Sequence, residues 1–168
     1  MGEVKNLIDK KAISKMQEIV KDQRICMFAT NLTEAPFSVC PMTAQEVSED
    51  GHILFLSAAD SDHNQKILLD PRVQLMFSKV SDSEFMSVYG KATISKNREK
   101  IDKIWDPLAK AWFPKGKDDP NLTIIEVFPE DAYYWDTKDG KIVSMLKIVA
   151  SAMTGEQMDG GVEGHLTV

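Results

Sequence analysis

The chain has 168 residues, 43% of them hydrophobic and 27% charged, with a formal net charge of −6 and a pI near 5.1. That length suits one domain, able to bury roughly 70% of the surface its unfolded form exposes. The acidic balance speaks against non-specific nucleic-acid binding, which rests on clustered Lys and Arg, but not against a small phosphorylated ligand held in a local pocket.

Asn6 to Lys21 sets Leu7, Ile8, Ala12, Ile13, Met16, Ile19 and Val20 near helical spacing and predicts an amphipathic helix packed on a sheet. Ile25 to Thr30 is a short apolar run, and Asn31 to Pro36 is turn chemistry. Phe37 to Thr43 predicts a second strand, in which Pro41 marks an edge or a bulge. After the turn Glu49-Asp50-Gly51, Ile53 to Ser57 is a third strand. Ser61 is an N-cap for a helix running to Leu69, ended by Asp70-Pro71. Val73 to Val80 and Phe85 to Ser95 are strands around the polar turn Ser81-Asp82-Ser83. Asn97 to Trp112 predicts one helix, or two divided at Pro107. Leu122 to Phe128 and Ala132 to Trp135 are late strands with Pro129 between them. One domain is expected over residues 1–150, and the Gly-rich end over 151–168 is expected to be a mobile tail. Short strands with two helical insertions suggest a mainly β barrel whose openings are covered by helices.

Several chemistries lack their signatures. His52, His63 and His165 are far apart in sequence and form no metal-ligand spacing with Cys26 or Cys40, so no metal is expected. No glycine-rich phosphate loop follows a strand, and no nucleophile elbow is present. No apolar run reaches the roughly 18 residues of a membrane helix. Met1 to Lys11 lacks the apolar core of a signal peptide. Cys26 and Cys40 read as free thiols in a reducing compartment, and a cytoplasmic location is the expectation.

Three segments can carry chemistry. In Ser57-Ala58-Ala59-Asp60-Ser61-Asp62-His63 a strand ends in a hydroxyl residue, and a Ser-x-His triplet then opens a helix. Such a turn is either an ordinary cap or an anion site built from free N–H groups and the helix dipole. Val39-Cys40-Pro41-Met42-Thr43 is either core packing or a strand that exposes backbone to a flat ligand. Trp105 and Trp112 share one helical face, and the Trp112-Phe113-Pro114 run in a Gly/Asp loop offers aromatic surface to a subunit or a planar ligand.

The order Trp112-Phe113-Pro114-x-Gly116-x-Asp118-Asp119-Pro120, then Glu126-Val127-Phe128-Pro129, then Tyr134-Trp135-Asp136, resembles the general stress protein branch of the pyridoxamine 5'-phosphate oxidase-like flavoproteins. The resemblance runs from about Met16 to Met145. It implies a six-stranded split β-barrel that works as a homodimer, with FMN in a groove at the subunit interface. It also implies an oxidoreductase-like, stress-related FMN-binding protein. Cys40-Pro41-Met42, followed by Thr43, stands where the family has Arg-Pro-Met, and Ser57 is its strand-end hydroxyl. Ser61-Asp62-His63 stands where it has Ser-x-Lys, Lys66 lies one turn further on, and Trp112 is implied near the dimer groove. The Arg-x-His pair of the true oxidases is missing after Trp135, which argues against pyridoxamine-phosphate oxidase activity.

Cys40 brings no charge where Arg is usual, and His63 is mostly neutral at pH 7 where Lys is usual. At roughly 1.5–3 kcal/mol per charge-assisted bond, two lost cations weaken binding by about two to four decades. The alternative is therefore a non-catalytic split-barrel binding or stress-response module with weakened or lost flavin affinity. Haem binding ranks below both, because no histidine has an evident ligand context.

Overall fold

A computed structural model of the protein describes residues 3–137 and 161–168. Its elements are β1 (Glu3–Val4), β2 (Leu7–Ile8), α1 (Lys10–Gln23), β3 (Ile25–Thr30), β4 (Ser38–Val47), β5 (Ile53–Ala58), α2 (Asp62–Leu69), β6 (Arg72–Lys79), β7 (Glu84–Ser95), α3 (Arg98–Ile104), β8 (Leu122–Thr137) and β9 (Gly161–Thr167). The strands run β8-β5-β4-β3-β6-β7, and β7 pairs back onto β8, so six antiparallel strands close a barrel. The architecture is the split barrel implied by the sequence, with three helices added.

Alternation along the strands builds the interior. Cys26 and Phe28 of β3, Phe55 of β5, Leu75 and Phe77 of β6, and Met86 and Val88 of β7 all point inward and are buried. Phe28 meets Phe55 edge to face, with ring centroids 5.2 Å apart. Burial of such side chains contributes about 1.5–3 kcal/mol each and dominates stability. A second apolar cluster outside the barrel joins Ile101 and Ile104 of α3 to Phe113, Leu54, Leu122 and Ile124.

The helices close the barrel's two ends. The apolar stripe of α1, made of Ala12, Met16, Ile19 and Val20, is buried over the end where β4 finishes and β7 begins. There Lys15 Nζ meets Asp136 Oδ2 at 2.6 Å and Glu84 Oε1 at 3.3 Å, tying α1 to β8 and β7. Burial disfavours the Lys15 ammonium, but the Asp136, Glu18 and Glu84 carboxylates outweigh it and hold its pKa above the ordinary lysine value. Helix α2 covers the opposite end, inserting Ile67 into the core and reaching the first residue of β4 through Lys66.

The split lies between β4 and β5. Their ladder covers only Ala44–Val47 against Ile53–Phe55, with an irregularity at residues 44–46. From Ser38 to Thr43, β4 therefore has β3 as its sole described neighbour, and β5 from Leu56 to Ala58 has only β8. Pro41, which has no N–H to offer a ladder, sits in that half-paired stretch, as an edge proline should.

Some expectations change. The first helix begins at Lys10, because Leu7 and Ile8 form β2 beside β9. The segment Asn97 to Trp112 divides into α3 and a 3-10 turn, Pro107–Ala111, with Pro107 at its start. The two expected late strands are one: β8 passes through Pro129 without ending. It does so at a register shift opposite Tyr89 and Gly90. Of the expected tail, residues 151–160 lie outside the described residues, while Gly161–Thr167 form β9 between β8 and the short strands β1 and β2. Gly164 permits this, since a Cβ there would lie 2.2 Å from the carbonyl oxygen of Lys5. Among the described residues, no helix is long and apolar enough to cross a membrane.

Gly90 permits the other close approach, since a Cβ there would lie 2.1 Å from the carbonyl oxygen of Phe128. Gly90→Ala must push β7 away from β8 at the closure of the barrel. It should lower stability by about 2 kcal/mol or more, read as a fall in the urea midpoint.

Candidate functional site

The split places strand ends beside the first turn of α2, and five of the residues singled out in the sequence meet there. Ser57 is the penultimate residue of β5 and is buried, Ser61 caps α2, His63 and Lys66 lie on α2, and Cys40 faces them from β4. Ser61 Oγ accepts from the Asn64 backbone N–H at 3.3 Å, which is ordinary capping, and it also faces the His63 ring. His63 Nε2 lies 2.7 Å from Ser57 Oγ and 3.1 Å from Ser61 Oγ, and Nδ1 lies 3.8 Å from Cys40 Sγ.

The donor order from Cys40 to the Ser57 carbonyl follows from one fixed acceptor and a neutral His63 ring. Thr123 Oγ1 lies 2.8 Å from the Ser57 carbonyl, which can only accept, so Thr123 donates. Its oxygen then accepts from Asn64 Nδ2 at 3.0 Å, which turns Asn64 Oδ1 toward Ser57 Oγ at 2.7 Å. Ser57 spends its single proton on that oxygen, so it accepts from His63 Nε2–H. The ring nitrogen left without a proton is Nδ1, and the Cys40 thiol donates to it. The chain of donors runs Cys40, His63, Ser57, Asn64, and from Asn64 through Thr123 to the Ser57 carbonyl. Asn64 and Thr123 are buried, and a buried polar group left unpaired costs about 1–3 kcal/mol.

The electrostatics agree with this order. Burial pushes the Cys40 thiol pKa up, Asp62 adds to it and Lys66 opposes it, so the sulfur keeps its proton. Burial likewise lowers the His63 pKa, with Asp62 working against the shift, so the ring is neutral at pH 7. Cys26, buried on the neighbouring strand, is pushed up to about 12 by the same desolvation. The one cation of the group is Lys66, whose Nζ meets Ser38 Oγ at 2.5 Å and Asp62 Oδ2 at 2.5 Å. Around the split the side chains thus bring together three serine hydroxyls, a neutral imidazole, a thiol, and an ammonium paired with the Asp62 carboxylate.

The other residues singled out behave differently. Pro41 and Thr43 alternate onto the exposed outer face of β4, and Met42 packs against the core. Trp112 is 75% exposed at the end of the 3-10 turn and is not part of the hydrogen-bonded group, while Phe113 is buried in the second apolar cluster. Sequence reasoning missed Ser38, Asn64 and Thr123. Asp62 was readable as a partner for Lys66 from its i, i+4 spacing. Asn64, a polar residue three past the cap, gave no signal, and Thr123 reaches it only through the barrel's closure. Among the described residues no group of three or more His, Cys, Asp or Glu side chains could hold a metal ion.

The profile of the family described as Pyridoxamine 5'-phosphate oxidase like matches residues 11–159. General stress protein 26 of Bacillus subtilis (strain 168) is 35% identical over 86 residues, which is 49% of this chain and 61% of that protein's length. Among solved structures, one assigned to general stress protein 26 from Jannaschia sp. CCS1 superposes with a TM-score of 0.79 at 22% identity, over 92% of this chain and 97% of that one. A general stress FMN/FAD binding protein from the phytopathogen Xanthomonas citri superposes with a TM-score of 0.64 at 27% identity, over 76% of this chain and 89% of that one.

Two measurements check the site's chemistry. Asn64→Ala leaves Ser57 Oγ and Thr123 Oγ1 without their shared partner and should lower stability by about 1–3 kcal/mol in denaturant titration. With an aromatic disulfide reagent near pH 8, neither Cys26 nor Cys40 should react at the rate of a free thiol in the native protein. Both should react promptly once it is unfolded.

Proposed function

The chain belongs to the pyridoxamine 5'-phosphate oxidase-like family, in its general stress protein 26 branch, and on that footing we propose that it binds FMN at the split between β4 and β5. The observation that carries the reading is the cluster of Ser38, Ser57, Ser61, His63 and Lys66 at one barrel end, built from three separate elements. Hydroxyls and an ammonium suit a phosphate monoester, which seeks charge-assisted hydrogen bonds. The likeness to the FMN/FAD binding protein of Xanthomonas citri supports the same ligand. A bound flavin would supply the electron chemistry of an oxidoreductase, and this chain's residues would hold and orient it.

Two copies of the chain would form the working unit. On the outer face of the sheet, Ile25 and Met27 of β3, Val39 of β4 and Met76 of β6 are all exposed. The register sets Met27 beside both Pro41 and Met76, so these side chains form one patch. Exposed apolar surface of this kind seeks a partner, and a second copy with two-fold symmetry covers both patches at once. Met27→Glu should shift the protein from dimer to monomer in light scattering.

A second reading keeps the barrel as a non-catalytic stress-response module. It is favoured by the neutral Cys40 and His63, which leave Lys66 as the group's one cation. Titration with FMN, followed by flavin fluorescence, separates the readings. Uptake by the native chain supports the flavin protein. No uptake by the native chain, together with strong uptake by Cys40→Arg/His63→Lys, supports a barrel that has lost its affinity. No uptake by either rejects the flavin site.

A further inference from the structure

The hydrogen-bonded group at the split is complete when His63 is neutral, and that completeness sets a condition on any anion that enters. Neutral His63 offers a single N–H, and both hydroxyls already face it. Its other nitrogen is an acceptor turned toward the Cys40 thiol. A phosphate oxygen is also an acceptor, so it gains nothing from Nδ1 while that nitrogen carries a lone pair. A proton added at Nδ1 reverses the situation: the ring becomes a cation, Nδ1–H becomes a donor, and the Cys40 sulfur facing it is only a weak acceptor.

Given the phosphate-monoester ligand proposed above, we propose that His63 is a proton-coupled phosphate ligand. The monoester binds together with one proton taken from solvent, and His63 Nδ1 changes from accepting the Cys40 thiol to donating to a phosphate oxygen. The Nε2 side need not move, because Nε2–H donates to Ser57 and Ser61 in both states. The groups facing the ring are few among the described residues. Strand β4 presents Cys40 and, beyond it, Ser38, which is held by Lys66; β5 presents Ser57; the turn before α2 presents Ser61; and α2 itself carries Asp62, Asn64 and Lys66. The charged pair Lys66–Asp62 is already joined at 2.5 Å, so the carboxylate that would stabilise a cationic ring is partly occupied. Burial keeps the free ring neutral, and an arriving dianion supplies the opposing charge.

The sign follows. The His63 pKa lies below the ordinary 6.5 in the free protein and rises when an anion binds. Phosphate affinity therefore increases as pH falls through the bound-state value and levels off below the free-state value. Within that window one coupled proton gives about tenfold in affinity per pH unit. Without this coupling His63 is a structural plug whose charge is indifferent to the ligand.

The test titrates the full chain with FMN and with riboflavin, which lacks the phosphate, between about pH 5.5 and 8.5, where a histidine changes charge. Native protein, His63→Gln and His63→Lys are compared, and the His63 imidazole signals are followed by NMR with FMN or inorganic phosphate added. The expected result is FMN affinity that tightens toward low pH in the native protein relative to His63→Gln, with riboflavin affinity level. His63→Lys should bind FMN at least tenfold more tightly at the alkaline end and lose the histidine step. The His63 titration should move up by one pH unit or more when FMN or phosphate binds. FMN binding that leaves the His63 titration in place, or identical pH profiles for native protein and His63→Gln, overturns the coupling and leaves the flavin reading standing. A His63 titration raised by phosphate in a protein that takes up no flavin upholds the coupling and removes the flavin reading.

Discussion

The unfinished ladder between β4 and β5 governs the rest of this molecule. The β6–β7 and β7–β8 ladders run along most of their strands, and an unpaired stretch would expose a row of backbone donors and acceptors. Here β4 runs on from Thr43 to Ser38 with β3 alone, because Pro41 cannot serve a second ladder and α2 begins where β5 ends. The gap lets side chains from β4, β5 and α2 meet, where a fully paired sheet would have kept them apart. Closing it with backbone hydrogen bonds would remove the site together with the edge.

Polar residues can be buried at this gap because they satisfy one another in a definite order. The Ser57 carbonyl is both the end of the proton chain and part of the strand that holds its hydroxyl, so the network is anchored to the barrel rather than to a loop. That order fits a neutral His63, the state that burial favours. It also places Cys40 in a role that differs from a nucleophile's. A thiol that donates a hydrogen bond and has its pKa raised is a poor thiolate source, and here it serves to hold a ring in one tautomer.

How far the sequence could be read depends on the range of the interaction. β3, α2 and the strands flanking Ser81-Asp82-Ser83 were legible, because period, cap and turn signals are local. Ser57, Ser61 and His63 were legible as a group because a strand end and a helix start are adjacent in the chain, and Lys66 joined them through the resemblance, one turn further on. Cys40 entered with the proline-bearing strand segment Val39–Thr43, and only the family resemblance gave it a place beside a ligand. What failed to show was non-local. Leu7 and Ile8 fit helical spacing as well as any neighbour, and only β9 at the far end of the chain pulls them into a strand. Pro129 reads as a break because its partner, Gly90, which makes room for the Phe128 carbonyl, is distant in sequence. Thr123 is invisible as a site residue for the same reason, since its contact to Asn64 spans 59 positions.

Strand β8 has a consequence for how the chain comes into being. Its first residues pair with β5 and, over Ile124–Val127, also with β7, so a single late segment joins two strands made much earlier. On a ribosome, a nascent chain that ends before Leu122 holds β5, β4, β3, β6 and β7 as an open sheet with two bare rims. Those rims are the surfaces on which neighbouring chains would pair by mistake, and long-range closure of this kind is slow. Thr123 arrives with the same segment, so until synthesis passes β8, Asn64 lacks the partner that orders its proton chain. The ring and the hydrogen-bonded group at its split therefore form together, once β8 is in place.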